Sequence, residues 1–194
     1  MSISPLTAEA HRPVRPGYPP THVHRPAAAG ASVSAPRASC RLCGHRVDPS
    51  ARQRTLLDML ADDLDASRIA AALHASVHTV RTELTRLQYD LGATTRVQAV
   101  DAACRTGVLT PPRTPLAKPP PAKALAVFQA HAHGANRQAL IGRERLTADS
   151  IDRHLATVRA RTGTTGNPAA AFRLHGAGLL DSTACCPDCT RRAR

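Results

Sequence analysis

The stretch "SVHTVRTELTRLQYDLG", Ser76 to Gly92, decides how the rest of the chain is read. Val80, Leu84, Leu87 and Leu91 follow one another at steps of four, three and four, which lines one narrow stripe of an α-helix with apolar side chains. The opposite side carries His78, Thr82, Thr85 and Tyr89, with Arg81 and Arg86 on its two shoulders. A helix face that meets only water is more often filled with Lys and Glu, so this one asks for a partner. Ser76 is a strong N-cap residue and Gly92 a good C-terminal stop, which sets the limits of the helix.

Working outward, the spacing of apolar residues predicts three more helices around it. One runs from about Ser50 to Asp63 and buries Leu56, Leu57 and Leu60; a second runs from about Asp65 to Leu73 and buries Ile69 and Leu73. Beyond Gly92 another runs from about Thr95 to Thr106 and stops at Gly107. The interval from Ile69-Ala70 to Thr79-Val80 is that of a helix, a short turn and a second helix, the arrangement that sets a helix in the DNA major groove.

The pattern then recurs. Gly92 and Gly163, Leu84 and Leu155, Gly107 and Gly178, and Leu109 and Leu180 are each 71 positions apart. Without a gap, "TVRTEL" aligns with "SIDRHL" and "ALHASVHTV" with "RERLTADSI". A gapless register over whole segments reads as duplication. Between the two copies lies "TPPRTPLAKPPP" (Thr110 to Pro121), a semi-rigid, extended linker. Residues 1–39, rich in Pro, Ala, His and Arg without periodicity, read as a disordered tail.

The segment "LLDMLADDLDASRIAAALHASVHTVRTELTRLQYDLGATTRVQAVDAACRTGVL" (Leu56 to Leu109) resembles the LuxR-type, or GerE-type, helix-turn-helix domain. The likeness runs over all four helices, down to "TRVQAV" at the start of the last one and the closing "GVL". The resemblance implies base contacts from the two residues after the buried Val80 and from one residue a turn later: Arg81, Thr82 and Thr85. Thr79 and Arg86 are placed for phosphates. Glu83 and Asp90 depart from the family, which commonly has His or Asn at the first position and a basic residue at the second; both acids flank the reading face. The second copy, about Lys123 to Leu180, is similar but degenerate, with Asp152, Arg153 and Ala156 at the reading positions. An Asp can accept from cytosine but cannot hold guanine as Arg does. Family members pair through the fourth helix, so the two copies are expected to pair within one chain or between chains.

Composition agrees with a small helical protein. Aromatics are 2% of the 194 residues and Trp is absent, so any core is built from Leu, Ile, Val and Ala. Twenty-six Lys and Arg against 14 Asp and Glu give a net charge of +12, which suits a polyanionic partner. Residues 47–109 are nevertheless net −1, the least basic part of the chain. No apolar run is long enough for a transmembrane helix and the N-terminus is unlike a secretory signal, so a cytoplasmic, nucleoid-associated protein is expected. No nucleophile elbow, phosphate loop or H-E-x-x-H motif is present, and an enzyme is not expected.

Two cysteine pairs bracket the copies: "CRLCGH" (Cys40 to His45) and "CCPDC" (Cys185 to Cys189). A C-x-x-C turn aims two thiolates at one ion, and two such turns complete a tetrahedral zinc set from Cys40, Cys43, Cys186 and Cys189. In the cytosol zinc is favoured over a disulfide. Separate sites completed by His45, His22 or His24, a redox switch, an iron–sulfur cluster, and Cys185 replacing Cys186 remain open alternatives. Cys104 reads as a small buried side chain, and His74, His131, His133, His154 and His175 show no ligand spacing.

The expected architecture is therefore all-α. A tail (1–39) and a first Cys-x-x-Cys half-site (40–46) precede a LuxR-like domain (47–109). A linker (110–121), a degenerate LuxR-like domain (122–181) and a second half-site with a basic tail (182–194) follow. The expected function is sequence-specific transcription regulation on double-stranded DNA. The rival is an adaptor that binds RNA polymerase or a partner regulator and keeps the fold without reading DNA.

Overall fold

Ser50 opens the first helix with a reciprocal cap: its hydroxyl accepts from the Gln53 N–H while the Gln53 side chain accepts from the Ser50 N–H. Capping of this kind is worth about 1 kcal/mol. In the computed structural model, which describes residues 38–39 and 46–180, seven more helices follow. The first half holds α1 (Ala51–Ala61), α2 (Ala66–Ala72), α3 (Val77–Asp90) and α4 (Arg96–Thr106). The second half holds α5 (Ala122–Ala132), α6 (Arg137–Glu144), α7 (Ala148–Thr162) and α8 (Asn167–Gly176). A short antiparallel pair, β1 (Ala38–Ser39) and β2 (Arg46–Val47), joins Ala38 to Val47 and Ser39 to Arg46. The architecture among the described residues is thus all-helical apart from this pair. No helix there is long and apolar enough to cross a membrane.

The two halves share one numerical frame. The N-caps Ser50, Asp65, Ser76 and Thr95 each precede a second-half N-cap by 71 residues: Pro121, Asn136, Thr147 and Gly166. Left-handed backbone recurs at the same interval, in Asp63 and Gly134, His74 and Arg145, Gly92 and Gly163, and Gly107 and Gly178. Asp63, at φ 65°, leaves the helical region, which explains why α1 stops at Ala61 rather than running on to Asp63.

A single apolar cluster runs from Val47 to Leu180 and contains both halves. Leu56, Leu57, Ile69, Leu84 and Leu87 are fully buried from the first half, and Phe128, Leu140, Ile151 and Leu174 from the second. Leu73, expected inside, is only half-buried; it is the C-cap of α2 and lies at the turn, packed against the margin of the core.

The most extensive helix contact among the described residues is between α4 and α8. Both helices are alanine-rich where they are buried, at Ala99, Ala102 and Ala103 and at Ala169, Ala170 and Ala171. Such short side chains leave little between two helices and let their backbones approach. Around this contact α1 packs on α8 and α5 packs on α4. The seam is also polar. Asp101, fully buried, pairs with Arg105 one turn along α4 and accepts a 2.9 Å hydrogen bond from Nε2 of His175 on α8. Asp63 reaches across to the start of α8, where its carboxylate accepts from the Thr165 N–H and hydroxyl and from the Gly166 N–H at 2.6, 3.0 and 2.7 Å. At the matching place in the other half, Gly134 leaves room for Gln98, whose Nε2 would lie 2.5 Å from an added Cβ.

The proline-rich segment 110–121 is laid against the second half. The Thr114 N–H donates to the Gly176 carbonyl at 3.3 Å, Leu116 packs on the core and Pro120 is buried. A Cβ on Gly176 would meet the Pro112 carbonyl oxygen at 2.4 Å. Most of the N-terminal tail, all four proposed zinc ligands and the basic C-terminal tail lie outside the described residues.

Candidate nucleic-acid interface

The site is built from α2, a tight turn and α3. Ile69 and Ala70 of α2 and Val80, Leu84 and Leu87 of α3 are buried, which fixes the angle of the pair from inside. Asp65 caps α2 by accepting from the Ser67 and Arg68 N–H groups at 2.9 and 2.8 Å. The hydrogen bond from Arg68 chiefly holds its carboxyl below the ordinary value. The turn passes through left-handed His74, and the Ala75 N–H closes it on the Ala70 carbonyl at 3.0 Å. Ser76 then starts α3 by accepting from the Thr79 N–H, also at 3.0 Å.

With the apolar stripe turned inward, the other side of α3 is presented to solvent. His78, Thr79, Arg81, Thr82, Thr85, Arg86 and Tyr89 are all exposed. Among the described residues Arg81 and Arg86 form no hydrogen bond or ion pair, so their guanidinium donors remain available. Thr82 and Thr85 donate their hydroxyls to the His78 and Arg81 carbonyls at 3.1 and 3.0 Å. With the donors used, each threonine retains a methyl group and an acceptor lone pair for a partner. Thr79 shares a 2.8 Å hydroxyl–hydroxyl bond with Ser76. Tyr89 is 78% exposed and is the one large exposed apolar side chain among the described residues.

The two acids that depart from the family pattern are tied to α1. Arg52 Nε donates to Glu83 at 3.0 Å, and the Gln53 amide donates to Asp90. Their charges are thus held on the flank of α3 that meets α1, beside the outward face and not within it.

In the second half α7 repeats the frame with different chemistry. Ile151, Leu155 and Val158 are buried while Asp152, Arg153 and Ala156 are exposed. Arg137, at the first position of α6, pairs with Asp152, a partner that sequence reading did not anticipate. Arg153 forms no ion pair among the described residues.

Several other groups bear on what the site can do. Burial, with a smaller contribution from Asp101, pushes the Cys104 thiol well above its ordinary range, so it is neither a ready nucleophile nor a ready metal ligand. Burial holds the His131 imidazole below its ordinary value. No group of three or more metal-ligating side chains occurs among the described residues. The Asp101–Arg105 pair could have been noticed as opposite charges four apart on an alanine-rich helix. His175 joins it only through the packing of helices 74 residues apart in sequence, for which the sequence carries no signal.

Comparison with known families identifies part of the chain. Residues 50–103 match the GerE model, described as "Bacterial regulatory proteins, luxR family", and form a helix-turn-helix domain of that family. The match covers α1 to α3 and most of α4. No curated protein and no solved structure matches the chain.

Proposed function

We propose that the chain is a sequence-specific DNA-binding transcription regulator that inserts α3 into the major groove. The observation that carries this reading is the outward face of α3, whose Arg81 and Arg86 have unused donors on a helix oriented by a family helix-turn-helix frame. Arg81, Thr82 and Thr85 read base edges, and Arg86 and Thr79 hold phosphates. The second half is a diverged copy of the first, with Arg153 at a reading position. The shared interval of 71 residues in caps and left-handed positions supports that descent. The two halves pair through α4 and α8 as a dimer-like unit within one chain. Support comes from the reciprocal packing of α1 on α8 and α5 on α4, the pattern of a twofold interface.

One zinc ion bound by Cys40, Cys43, Cys186 and Cys189 joins the ends of the chain in this reading. Support comes from the β1–β2 pairing, which sets Ser39 and Arg46 opposite each other on either side of the segment that contains Cys40 and Cys43. Val47 and Leu180, described residues that flank the two cysteine segments in sequence, belong to the same apolar cluster. Bound zinc would supply a structural cross-link whose binding free energy adds to folding.

The adaptor reading rests on one observation, the exposed Asp149 and Asp152 of α7, which repel phosphate. Binding of random-sequence duplexes over a range of salt concentrations separates the two readings. A regulator selects a sequence and binds it with a steep salt dependence; an adaptor enriches nothing. Metal analysis of the purified chain, with Cys43→Ser and Cys189→Ser each expected to release the same ion, tests the shared zinc site.

A further inference from the structure

Resting on the reading of α3 as a groove reader, we infer that one molecule of this chain recognises a DNA site without dyad symmetry, α3 reading one half and α7 a chemically different half. The first support is that α4 is already covered. From Val97 to Thr106 every residue except the half-buried Cys104 is buried within the chain, by packing that includes α8, α5, α3 and α1. A second molecule therefore finds no equivalent helix face to pair with. Tyr89, on the outward face of α3, is the only large apolar side chain exposed among the described residues, so no other apolar patch replaces it there.

The second support is the internal arrangement. Packing of α1 on α8 mirrors packing of α5 on α4, and α4 packs on α8 about their own contact. Asp63 meeting Thr165 and Gly166 has its counterpart in Gly134 meeting Gln98, in the helix that begins after Thr95. An approximate twofold of this kind relates α3 to α7, as a symmetric dimer relates its two recognition helices across adjacent half-sites.

The third support is that the two related faces are not alike. At matching positions His78 becomes Asp149, Arg81 becomes Asp152, Thr82 becomes Arg153, Thr85 becomes Ala156, Arg86 becomes Thr157 and Tyr89 becomes Ala160. Arg favours guanine through O6 and N7, Asp accepts from the cytosine amine, and Ala meets the thymine methyl. Pairing with Arg137 offsets the Asp152 charge and restrains its carboxylate, which reduces its repulsion of phosphate. The same base pairs cannot suit both helices. The site consequently has a direction, and the α3 half carries more of the affinity.

Selection from random-sequence duplexes with the full chain, followed by native mass spectrometry of the complex, tests this. The expected motif is non-palindromic and holds one chain per duplex. Arg81→Ala should erase about 10- to 100-fold of discrimination in one half only, and Arg153→Ala should relax the other half only. A synthetic palindrome of two α3 half-sites should bind about tenfold more weakly than the selected site. A palindromic motif with two chains per duplex overturns the inference while leaving α3 a reader, and so does a motif indifferent to Arg153→Ala. Failure to enrich any sequence overturns the reading of α3 itself, and this inference with it. Both arginines are exposed, so neither change threatens the fold.

Discussion

On its outward side α3 has two unpaired arginines, a histidine and a tyrosine, whereas α7 has one unpaired arginine, a small alanine pair and an aspartate held by Arg137. Inward the two helices are nearly interchangeable: Val80, Leu84 and Leu87 on one, Ile151, Leu155 and Val158 on the other. The comparison separates two constraints on one helix. Close packing tolerates only similar volumes, so the buried side is held to aliphatic residues in both halves. The exposed side contributes little to folding and is free to answer to whatever binds it.

The largest expected effect tests whether the halves are one folding unit. Asp101→Ala removes the carboxylate that pairs with buried Arg105 and the bond to His175, and should cost about 3–5 kcal/mol. Urea unfolding should remain a single transition at a lower midpoint. Two separated transitions in the parent protein would show that α4 and α8 do not couple the halves.

Next in size is base readout. Arg81→Ala should cost about 1–3 kcal/mol on the preferred site, with little change on unrelated DNA. Arg86→Ala should instead weaken all sequences alike and reduce the salt slope by about one unit. Equal behaviour of the two variants in a titration at several salt concentrations would remove the division between reading and positioning on α3.

Asp63 and Gly134 give a third contrast. Asp63→Ala strips the start of α8 of three accepted hydrogen bonds and should lower stability by about 0.5–2 kcal/mol, seen as a lower Tm. At its counterpart, Gly134→Ala should also destabilise, because a Cβ would press on Gln98 and φ is +96°. A neutral outcome at both places would mean these cross-contacts are not formed in solution.

The smallest effect distinguishes two caps. Asp65 titrates and Asn136, its counterpart at the start of α6, does not. The folded pKa of Asp65 is depressed, so its contribution is present above the unfolded value of about 3.9 and is lost as pH falls through the folded one. Asp65→Asn should flatten part of the stability profile measured between about pH 5 and pH 2. An unchanged profile would assign the acid sensitivity to other carboxylates.

What could be read from the sequence follows from how local each signal is. The stripe of α3 and the caps Ser50, Asp65 and Ser76 are decided within one or two helical turns, and all appear where periodicity and capping preference put them. Left-handed backbone at Asp63, His74 and Arg145 carries no glycine to mark it in the sequence. Leu73 has the right spacing for a core residue but ends its helix at an open turn. The outward position of Arg81, Thr82 and Thr85 was legible from the wheel, whereas the ties from Arg52 to Glu83 and Arg137 to Asp152 depend on how separate helices meet. The segment 110–121 reads as a spacer because prolines suppress periodicity, yet its Leu116 packs against the core.

The burial of α4 against α8 has a consequence for dosage. Surfaces that belong to separate molecules part on dilution, and the occupancy of their target then rises with a higher power of concentration. Here both surfaces lie on one chain, connected by 110–121, so their contact is first order and indifferent to copy number. Under the proposed function one molecule is already paired, and its response to synthesis of more is graded, with no threshold set by association.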